Sequence, residues 1–253
     1  MAQLETAEKL AALHVKGDPL ILFNVWDAAT AIAAAKAGAK AIATGSHSVA
    51  GAQGFDDGEQ LPLDLLLVIV ERIAASISLP LTIDFEGGYA VKPHDVKKNV
   101  EKVIRAGAVG INFEDQIIGS DEIYSITQQQ DRIAAAVEAG EALGIPIVVN
   151  ARTDFFLKES SVGKHASLMD EVIARGNAYA QAGAKSFFVP GLTEVNLIKS
   201  ICASIVLPVN VMMKPGAPSV GELAQAGVAR VSHGPFPFIE AMITFENQAR
   251  PHF

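Results

Sequence analysis

A short junction motif recurs along this chain and limits the folds that it can adopt. Four segments read Ala-Gly-Ala or Ala-Gly-Val, at residues 37–39, 106–108, 182–184 and 226–228, and an apolar run follows each. Three apolar-Pro pairs, at 79–80, 145–146 and 207–208, alternate with them. Glycine favours the left-handed position after a helix, and proline ends helices. Each motif therefore predicts a helix-to-strand junction, and strands connected through helices in this way are parallel.

Eight strands follow from these junctions, with helices in the gaps and a last helix near 238–248. The strands are predicted near residues 20–26, 41–45, 81–86, 110–114, 147–152, 186–190, 208–213 and 229–233. Eight strand–helix units in a chain of this length predict an α/β fold. We expect a single (β/α)8 TIM-type barrel domain over residues 1–253, with a short N-terminal helix at 4–15. An open doubly wound sheet is the alternative, but it normally has a Gly-rich turn after its first strand, and residues 26–30 form none.

Composition narrows the function classes. Half of the 253 residues are apolar, the formal net charge is −8, and the chain has one cysteine. The acidic balance argues against nucleic acid as a partner, because nucleic-acid binding requires a basic face. No apolar run is long enough to span a bilayer, so we expect no membrane partner. The N-terminus lacks the features of a signal peptide, which predicts a cytoplasmic protein. A multi-cysteine metal site is excluded.

Charged side chains stand at the ends of three successive predicted strands. Asp84 and Glu86 close the third strand, Glu114 the fourth and Arg152 the fifth. The carboxyl ends of barrel strands face a common mouth, where unpaired charge is costly without a function. Carboxylates suit Mg²⁺, with Mn²⁺ as a second possibility, and arginine suits an anionic substrate. We therefore predict a metal site at Asp84, Glu86 and Glu114, with Arg152 facing a carboxylate or a developing oxyanion.

Other strand ends supply further candidates. The turn at Gly45, Ser46 and His47 offers backbone N–H groups to an anion. His47, His233 or a metal-bound water could move the proton, although hydrogen-bonded histidines with a structural role are common. Structural interpretations also apply to Asp27, as a helix N-cap, and to Asp154, as a partner of Arg152. Trp26 and Asn210 stand at the ends of the first and seventh strands, and we include both as candidate substrate contacts.

Six motifs, taken in order, resemble those of a known family. They are Asn24-Val-Trp-Asp-Ala-Ala-Thr-Ala31, Thr44-Gly-Ser-His-Ser-Val-Ala50, Gly54-Phe-Asp-Asp-Gly58, Asp84-Phe-Glu-Gly-Gly-Tyr89, Phe113-Glu-Asp-Gln116 and Asn150-Ala-Arg-Thr-Asp154. Each motif alone is weak evidence for a family. Their order along almost the whole chain, however, is specific for one. The chain thus resembles the isocitrate lyase and phosphoenolpyruvate mutase superfamily.

The resemblance implies a Mg²⁺-dependent barrel that acts on small 2-oxo acids through an enolpyruvate-like oxyanion. It implies that Asp84, Glu86 and Glu114 hold Mg²⁺ directly or through waters and that Asp57 supports them. It also implies that Gly45, Ser46 and His47 bind the substrate carboxylate while Arg152 stabilises the oxyanion. A homo-oligomer, either dimer or tetramer, is implied as well. Our candidate catalytic residues are therefore Arg152, Asp57 and His233.

The chain departs from the family pattern at two places. Glu86 stands where the family has a second Asp, and residues 116–125 lack the Lys-Lys-Cys-Gly-His loop of the lyases. These departures favour chemistry that needs little help from a lid. We expect a Mg²⁺-dependent lyase or decarboxylase of a small 2-oxo or 2-hydroxy di- or tricarboxylate that passes through a pyruvate enolate. The alternatives are a carbon–phosphorus bond hydrolase or mutase and a non-catalytic 2-oxo-acid-binding barrel.

Overall fold

The computed structural model describes residues 3–253 and contains one parallel eight-stranded sheet. The strands are β1 Leu20–Leu22, β2 Ile42–Ala43, β3 Leu81–Asp84, β4 Gly110–Glu114, β5 Val148–Arg152, β6 Ser186–Phe188, β7 Val209–Met212 and β8 Arg230–Ser232. Each pairs in parallel with its sequence neighbour from β2 to β8, and β8 pairs with β1. A bridge between Val25 and Thr44 joins the remaining edge. The predicted (β/α)8 barrel is therefore confirmed, and all eight predicted strands are present.

Helices surround the sheet and connect its strands. They are α1 Gln3–Ala12, α2 Ala28–Lys36, α3 Ser46–Ala52, α4 Leu63–Ser76, α5 Pro93–Arg105, α6 Ile126–Ala142, α7 Phe155–Lys158, α8 Met169–Gln181, α9 Val195–Ser204, α10 Val220–Gln225 and α11 Phe236–Ala249. Short 3₁₀ helices lie at Val162–Leu168 and Arg250–His252. Among the described residues, no helix is both long and apolar enough to cross a membrane.

Local sequence explains where the helices begin and end. Asp27 caps α2, since its carboxylate accepts a hydrogen bond from Thr30 N at 2.7 Å and the Thr30 hydroxyl completes a capping box. Ser125 caps α6 through the same device with Gln128. All four predicted Ala-Gly junctions follow helices, and Gly38, Gly107, Gly183 and Gly227 have positive φ. These residues are the left-handed C′ glycines that the sequence motif predicted.

The core divides into two parts. The larger part lies between the sheet and the surrounding helices and contains outward-facing strand residues such as Ile83, Phe113 and Val231. The smaller part lies where α1 packs on the barrel, and it includes Leu10, Leu22, Ala41 and Val148. Helix α1 thus covers the amino-terminal end of the barrel, which leaves the carboxyl-terminal end for the site.

Candidate active site

A cavity of about 250 Å³ opens at the carboxyl ends of the strands. Six of the predicted site residues line it: Gly45, Ser46, His47, Asp57, Asp84 and Arg152. The remaining lining comes mainly from other strand ends, namely Asn24, Asn112, Leu157, Phe188, Pro190, Met212, Ser232, Gly234 and Pro235. The structure therefore brings together residues that are more than a hundred positions apart in sequence, as the barrel geometry predicted.

Arg152 is fixed in the cavity by two carboxylates. Its Nε donates to Asp154 Oδ1 at 2.6 Å, and its Nη2 donates to Asp154 Oδ2 at 3.0 Å. Its Nη1 lies 2.9 Å from Glu114 Oε2. Burial acts to lower the pKa of Arg152, but the charges of Asp154, Glu114 and Asp84 outweigh burial and raise it well above its usual value. A permanently charged, pre-oriented guanidinium suits the binding of a carboxylate or an oxyanion.

Asp84 stands beside Arg152 and is only half satisfied. Its Oδ2 accepts hydrogen bonds from the backbone N–H of Ser46 at 3.3 Å and from the Ser46 hydroxyl at 3.2 Å. Its Oδ1 is buried and has no hydrogen-bond partner among residues 3–253. A buried carboxylate oxygen without a donor is costly. It is therefore the atom in this cavity that most requires a ligand.

Glu86 connects the third strand to the loop that carries Asp57. Its Oε2 accepts hydrogen bonds from the N–H groups of Gly58 and Glu59, each at 2.8 Å. Glu86 has a φ of +48°, which is unfavourable for a residue with a side chain. These two bonds hold it there, and they hold Asp57 at the mouth of the cavity. The extra methylene of Glu86, compared with the family aspartate, thus accompanies a loop-anchoring role.

The carboxylates of the site are destabilised as anions. Burial raises the pKa values of Asp84 and Glu114, and Arg152 only partly opposes this rise. Burial also raises the pKa of Glu86 to about 8, and the charges of Asp84 and Asp57 add to the effect. The mouth therefore holds more negative charge than Arg152 neutralises. Binding a cation would relieve this repulsion.

The donor set fits Mg²⁺ held mostly through water. Among the described residues, no three His, Cys, Asp or Glu side chains form a ready-made metal cluster. Magnesium usually keeps several waters and uses only one or two protein carboxylates. The free Oδ1 of Asp84 suits direct coordination. Glu86 already accepts two backbone hydrogen bonds and Glu114 already forms an ion pair with Arg152, so we assign both to water-mediated contacts.

Arg132, which sequence reasoning missed, supports the turn after β3. It is 1% exposed, and it donates to the carbonyl oxygens of Gly87, Ala90 and Val91 and to the side chain of Gln129. Gln129 in turn donates to Glu114 O at 3.0 Å. Arg132 therefore links the segment that follows Glu86 to the end of β4. A charged residue amid buried apolar positions of α6 was the available signal.

A second missed support lies beneath Arg152. Asp115 is fully buried, and its Oδ2 accepts hydrogen bonds from Arg175 at 3.2 Å and from the Tyr179 hydroxyl at 2.8 Å. Its Oδ1 accepts from the backbone N–H of Asp154 at 3.2 Å. Burial raises the pKa of Asp115 to about 6. This network fixes the position of Asp154 and, through it, the guanidinium of Arg152.

Five predicted site residues are not part of the cavity lining: Glu86 and Glu114, described above, and Trp26, Asn210 and His233. Trp26 packs against Phe238 with ring centroids 5.2 Å apart, and the His233 ring packs against Phe23 at 5.1 Å. Asn210 is fully buried and pairs with Ser232 at 3.3 Å. Strand β1 ends at Leu22 rather than near 26, so the strand-end rule does not apply to Trp26. The direct roles of Trp26, Asn210 and His233 stay predictions.

Comparisons with known proteins identify the family. Residues 10–252 match the family model described as phosphoenolpyruvate phosphomutase. A crystal structure from Burkholderia cenocepacia J2315, of a protein provisionally named a phosphonomutase, has a TM-score of 0.96 and 44% identity over 100% of both chains. The 2-methylisocitrate lyase of Escherichia coli K12 is 31% identical over 206 residues, which cover 78% of this chain and 66% of that enzyme.

A third relative is a 2,3-dimethylmalate lyase of known crystal structure. Its structure has a TM-score of 0.82 and 25% identity, and the match covers 99% of this chain and 88% of that one. That enzyme is itself described as a member of the phosphoenolpyruvate mutase and isocitrate lyase superfamily. The resemblance seen in the six sequence motifs is thus confirmed. This chain belongs to the phosphoenolpyruvate mutase and isocitrate lyase superfamily.

Proposed function

We propose that this chain is a Mg²⁺-dependent lyase or decarboxylase that acts on a small 2-oxo or 2-hydroxy di- or tricarboxylate through an enolate, which is the enolate of pyruvate when the substrate is a 2-oxo acid that loses CO₂. The observation that carries the proposal is the presence of Arg152 and Asp84 in the lining of one small cavity, where Asp84 Oδ1 is buried without a donor. Two relatives named as lyases act on small carboxylic acids of this class, 2-methylisocitrate and 2,3-dimethylmalate.

The residues of the chain divide the chemistry between binding and charge stabilisation. Asp84, Glu86 and Glu114 would hold Mg²⁺, which when bound supplies positive charge to the enolate oxygen. Arg152 donates hydrogen bonds to the same developing charge from a fixed position. Gly45, Ser46 and His47 line the same cavity and would receive the substrate carboxylate. Asp57, on the loop anchored by Glu86, stands near the mouth, where it supports the metal site.

His47 is the candidate for the proton-transfer step. It lines the cavity, whereas the ring of His233 packs outside the lining. Residues 116–125, between β4 and α6, contain no Cys, Lys or His. A decarboxylation leaves an enolate that water can protonate, so this loop composition favours decarboxylation over cleavage that requires a loop acid.

The experiment is a substrate panel with Mg²⁺ and with chelator, followed by pyruvate release and proton NMR. The panel contains oxaloacetate, 2-methylisocitrate, isocitrate, dimethylmalate and phosphonopyruvate. Metal-dependent cleavage of a carboxylate, abolished in Glu114→Ala, supports the proposal; oxaloacetate, 2-methylisocitrate and dimethylmalate would yield pyruvate, and isocitrate would yield glyoxylate. Turnover of phosphonopyruvate alone would establish the carbon–phosphorus alternative. Binding without turnover of any compound would establish the non-catalytic barrel, and activity that persists in chelator would contradict the metal dependence.

We also propose that the chain forms a homo-oligomer, a dimer or tetramer, through α11. Every residue of α11 from Met242 to Gln248 is exposed, and Ile243 and Phe245 are 53% and 70% exposed. An apolar hollow of about 550 Å³ lies between β1 and α2 of the same chain, beside exposed Ile21 and Phe23. A helix with an uncovered apolar face and an uncovered apolar hollow favour exchange of α11 between copies.

Light scattering after size exclusion tests the oligomer. The wild type is expected at two or four times 26.6 kDa, and Phe245→Asp is expected to move toward the monomer. Gln248→Asp on the same helix is the control, because it adds the same charge at a polar position. A monomeric wild type at micromolar concentration would contradict this proposal without affecting the catalytic one.

A further inference from the structure

A polar layer lies inside the barrel below the cavity. Asn112 on β4, Asn150 on β5, Ser186 on β6 and Arg230 on β8 are each at most 4% exposed. Barrel interiors are usually filled by branched apolar side chains. Polar groups in such a place require hydrogen-bond partners, and a charged group requires them most. The arrangement of these partners indicates what the layer does.

The four side chains form one hydrogen-bonded network across the barrel. The Ser186 hydroxyl donates to Asn150 Oδ1 at 2.6 Å, and Asn150 Nδ2 donates to Asn112 Oδ1 at 2.7 Å. From the opposite side, Arg230 Nη2 donates to the same Asn112 oxygen at 2.9 Å. The network therefore converges on the carbonyl oxygen of the Asn112 side chain.

This convergence fixes the orientation of the Asn112 amide. A guanidinium has only donors, so the Asn112 atom that faces Arg230 has to be the oxygen. The amide nitrogen is then on the other side of the group. It makes no hydrogen bond with any residue in 3–253, and it is not among the buried unsatisfied atoms. Asn112 also lines the cavity and faces Asp84 in the β3–β4 register.

We propose that Asn112 Nδ2 is a further substrate-binding donor on the cavity floor, aimed at a carboxylate of the 2-oxo acid, and that Arg230 is the residue that positions it. The proposal rests on the proposed function, because it assigns one more contact to the same anionic ligand. Asn112 would contact the ligand, whereas Arg230 acts only through Asn112. Together with Arg152, Asn112 would give the ligand donors from two neighbouring strands.

The charge of Arg230 favours the same assignment. Its Nε and Nη1 are buried and have no partner in the part of the chain that the structure describes. Burial lowers the pKa of Arg230 to about 9, and Asp84 is the carboxylate that opposes this shift. No carboxylate forms a salt bridge with Arg230 within the described residues, whereas Arg152 has two. The cavity floor is therefore a positive region under an anion-binding cavity.

Calorimetry with pyruvate and with oxalate, in the presence of Mg²⁺, tests the role of Asn112. Asn112→Ala removes the donor and is expected to weaken binding by about 10- to 100-fold, the range for one hydrogen bond to a charged group. Asn112→Asp keeps the acceptor for Arg230 and Asn150 but replaces the donor by a negative acceptor. We expect it to fold as stably as the wild type and to bind at least as weakly as Asn112→Ala.

Asn177→Asp is the matched control, since it makes the same chemical change at an exposed position of α8, outside both the cavity lining and the network. It is expected to change affinity by less than about threefold. Mg²⁺ is titrated separately into each variant, because an added carboxylate next to Asp84 could alter metal binding. Wild-type affinity in folded Asn112→Ala would overturn the proposal. Equal losses in Asn112→Asp and Asn177→Asp would overturn it too, because they would indicate a general charge effect.

Arg230 is tested by a pair of variants. Arg230→Met releases the Asn112 amide and is expected to weaken binding severalfold, whereas Arg230→Lys keeps one donor and is expected to recover much of that loss. Equal affinities in folded Met and Lys variants would contradict a positioning role. A wild type that binds neither pyruvate nor oxalate would contradict the proposed function itself, and that outcome differs from wild-type binding that survives Asn112→Ala.

Discussion

Replacement of Arg132 by methionine should destabilise the protein and loosen the turn that follows Glu86. Methionine fills similar space but donates no hydrogen bond. It leaves the buried Gly87 carbonyl and the Gln129 side chain without their donor, at about 1–3 kcal/mol each. The guanidinium also lies 4.2 Å from the Tyr124 ring centroid, a contact worth roughly 1 kcal/mol. The expected loss in the free energy of unfolding is therefore about 3–7 kcal/mol.

Urea unfolding followed by circular dichroism measures the loss in the free energy of unfolding. In a separate thermal melt, the midpoint is expected to fall by roughly 10 °C. Arg132→Lys keeps the charge but not the planar fork of donors, so it should lose about half as much. Arg72→Met is the control, because Arg72 is exposed on α4 and should change stability by less than about 0.5 kcal/mol. A loss in the free energy of unfolding below about 1 kcal/mol in Arg132→Met would show that the buried hydrogen bonds of Arg132 contribute little to stability.

Two further predictions concern stability. Burial and the Arg230 charge lower the pKa of His14 to about 4. Between about pH 6.5 and 4, His14 is therefore protonated in the unfolded chain but neutral in the folded chain. The free energy of unfolding should fall by about 1.4 kcal/mol per pH unit as the pH drops through that window. Urea unfolding at pH 7.5 and at pH 5 gives the drop in the free energy of unfolding between the two pH values. This drop should be smaller in His14→Gln than in the wild type, and equal drops would contradict the prediction. Gly107→Ala should cost more than Gly38→Ala, since both have φ near +100° but only at Gly107 would a Cβ lie 2.6 Å from Ala74. Equal midpoints for the two alanine variants would show that the contact is harmless.

The parts of the fold that the sequence predicted depend on local signals. Ala-Gly marks the helix ends and proline marks the strand starts. Both signals can be recognised from a few neighbouring residues. The Asp27 cap and the Arg152–Asp154 pair are equally local, and the structure contains both. Parallel strands then bring Asp84 and Arg152 to one mouth, because the fold permits no other arrangement of strand ends.

The residues that sequence reasoning missed act through distant contacts. Arg132 bonds to carbonyls about 41–45 positions away, and Arg230 bonds to Asn112 at a separation of 118. No local pattern encodes such a partner. A charge at a buried position of a helix or strand is the only trace, and Arg132, Arg175 and Arg230 all show it.

The positions of Asn210 and His233 outside the cavity lining have a related cause. A strand-end rule gives the edge of the barrel where a residue lies, but it does not give the side to which the residue points. Asn210 points inward one layer below the cavity, where it pairs with Ser232. The backbone of His233 is held by Asn24 at 3.0 Å, which leaves its ring to pack on Phe23.

The assignment of Asp84 as a ligand of Mg²⁺ can be tested by oxalate binding. Calorimetry would compare the wild type and Asp84→Asn, each with and without Mg²⁺. Oxalate is a stable dianion that resembles the enolate of pyruvate in shape and charge. We expect binding to the wild type that requires Mg²⁺ and that is lost in Asp84→Asn, while both proteins remain folded. Oxalate binding of equal strength in Mg²⁺ and in chelator, or unchanged in Asp84→Asn, would contradict the assignment of Asp84 to the metal.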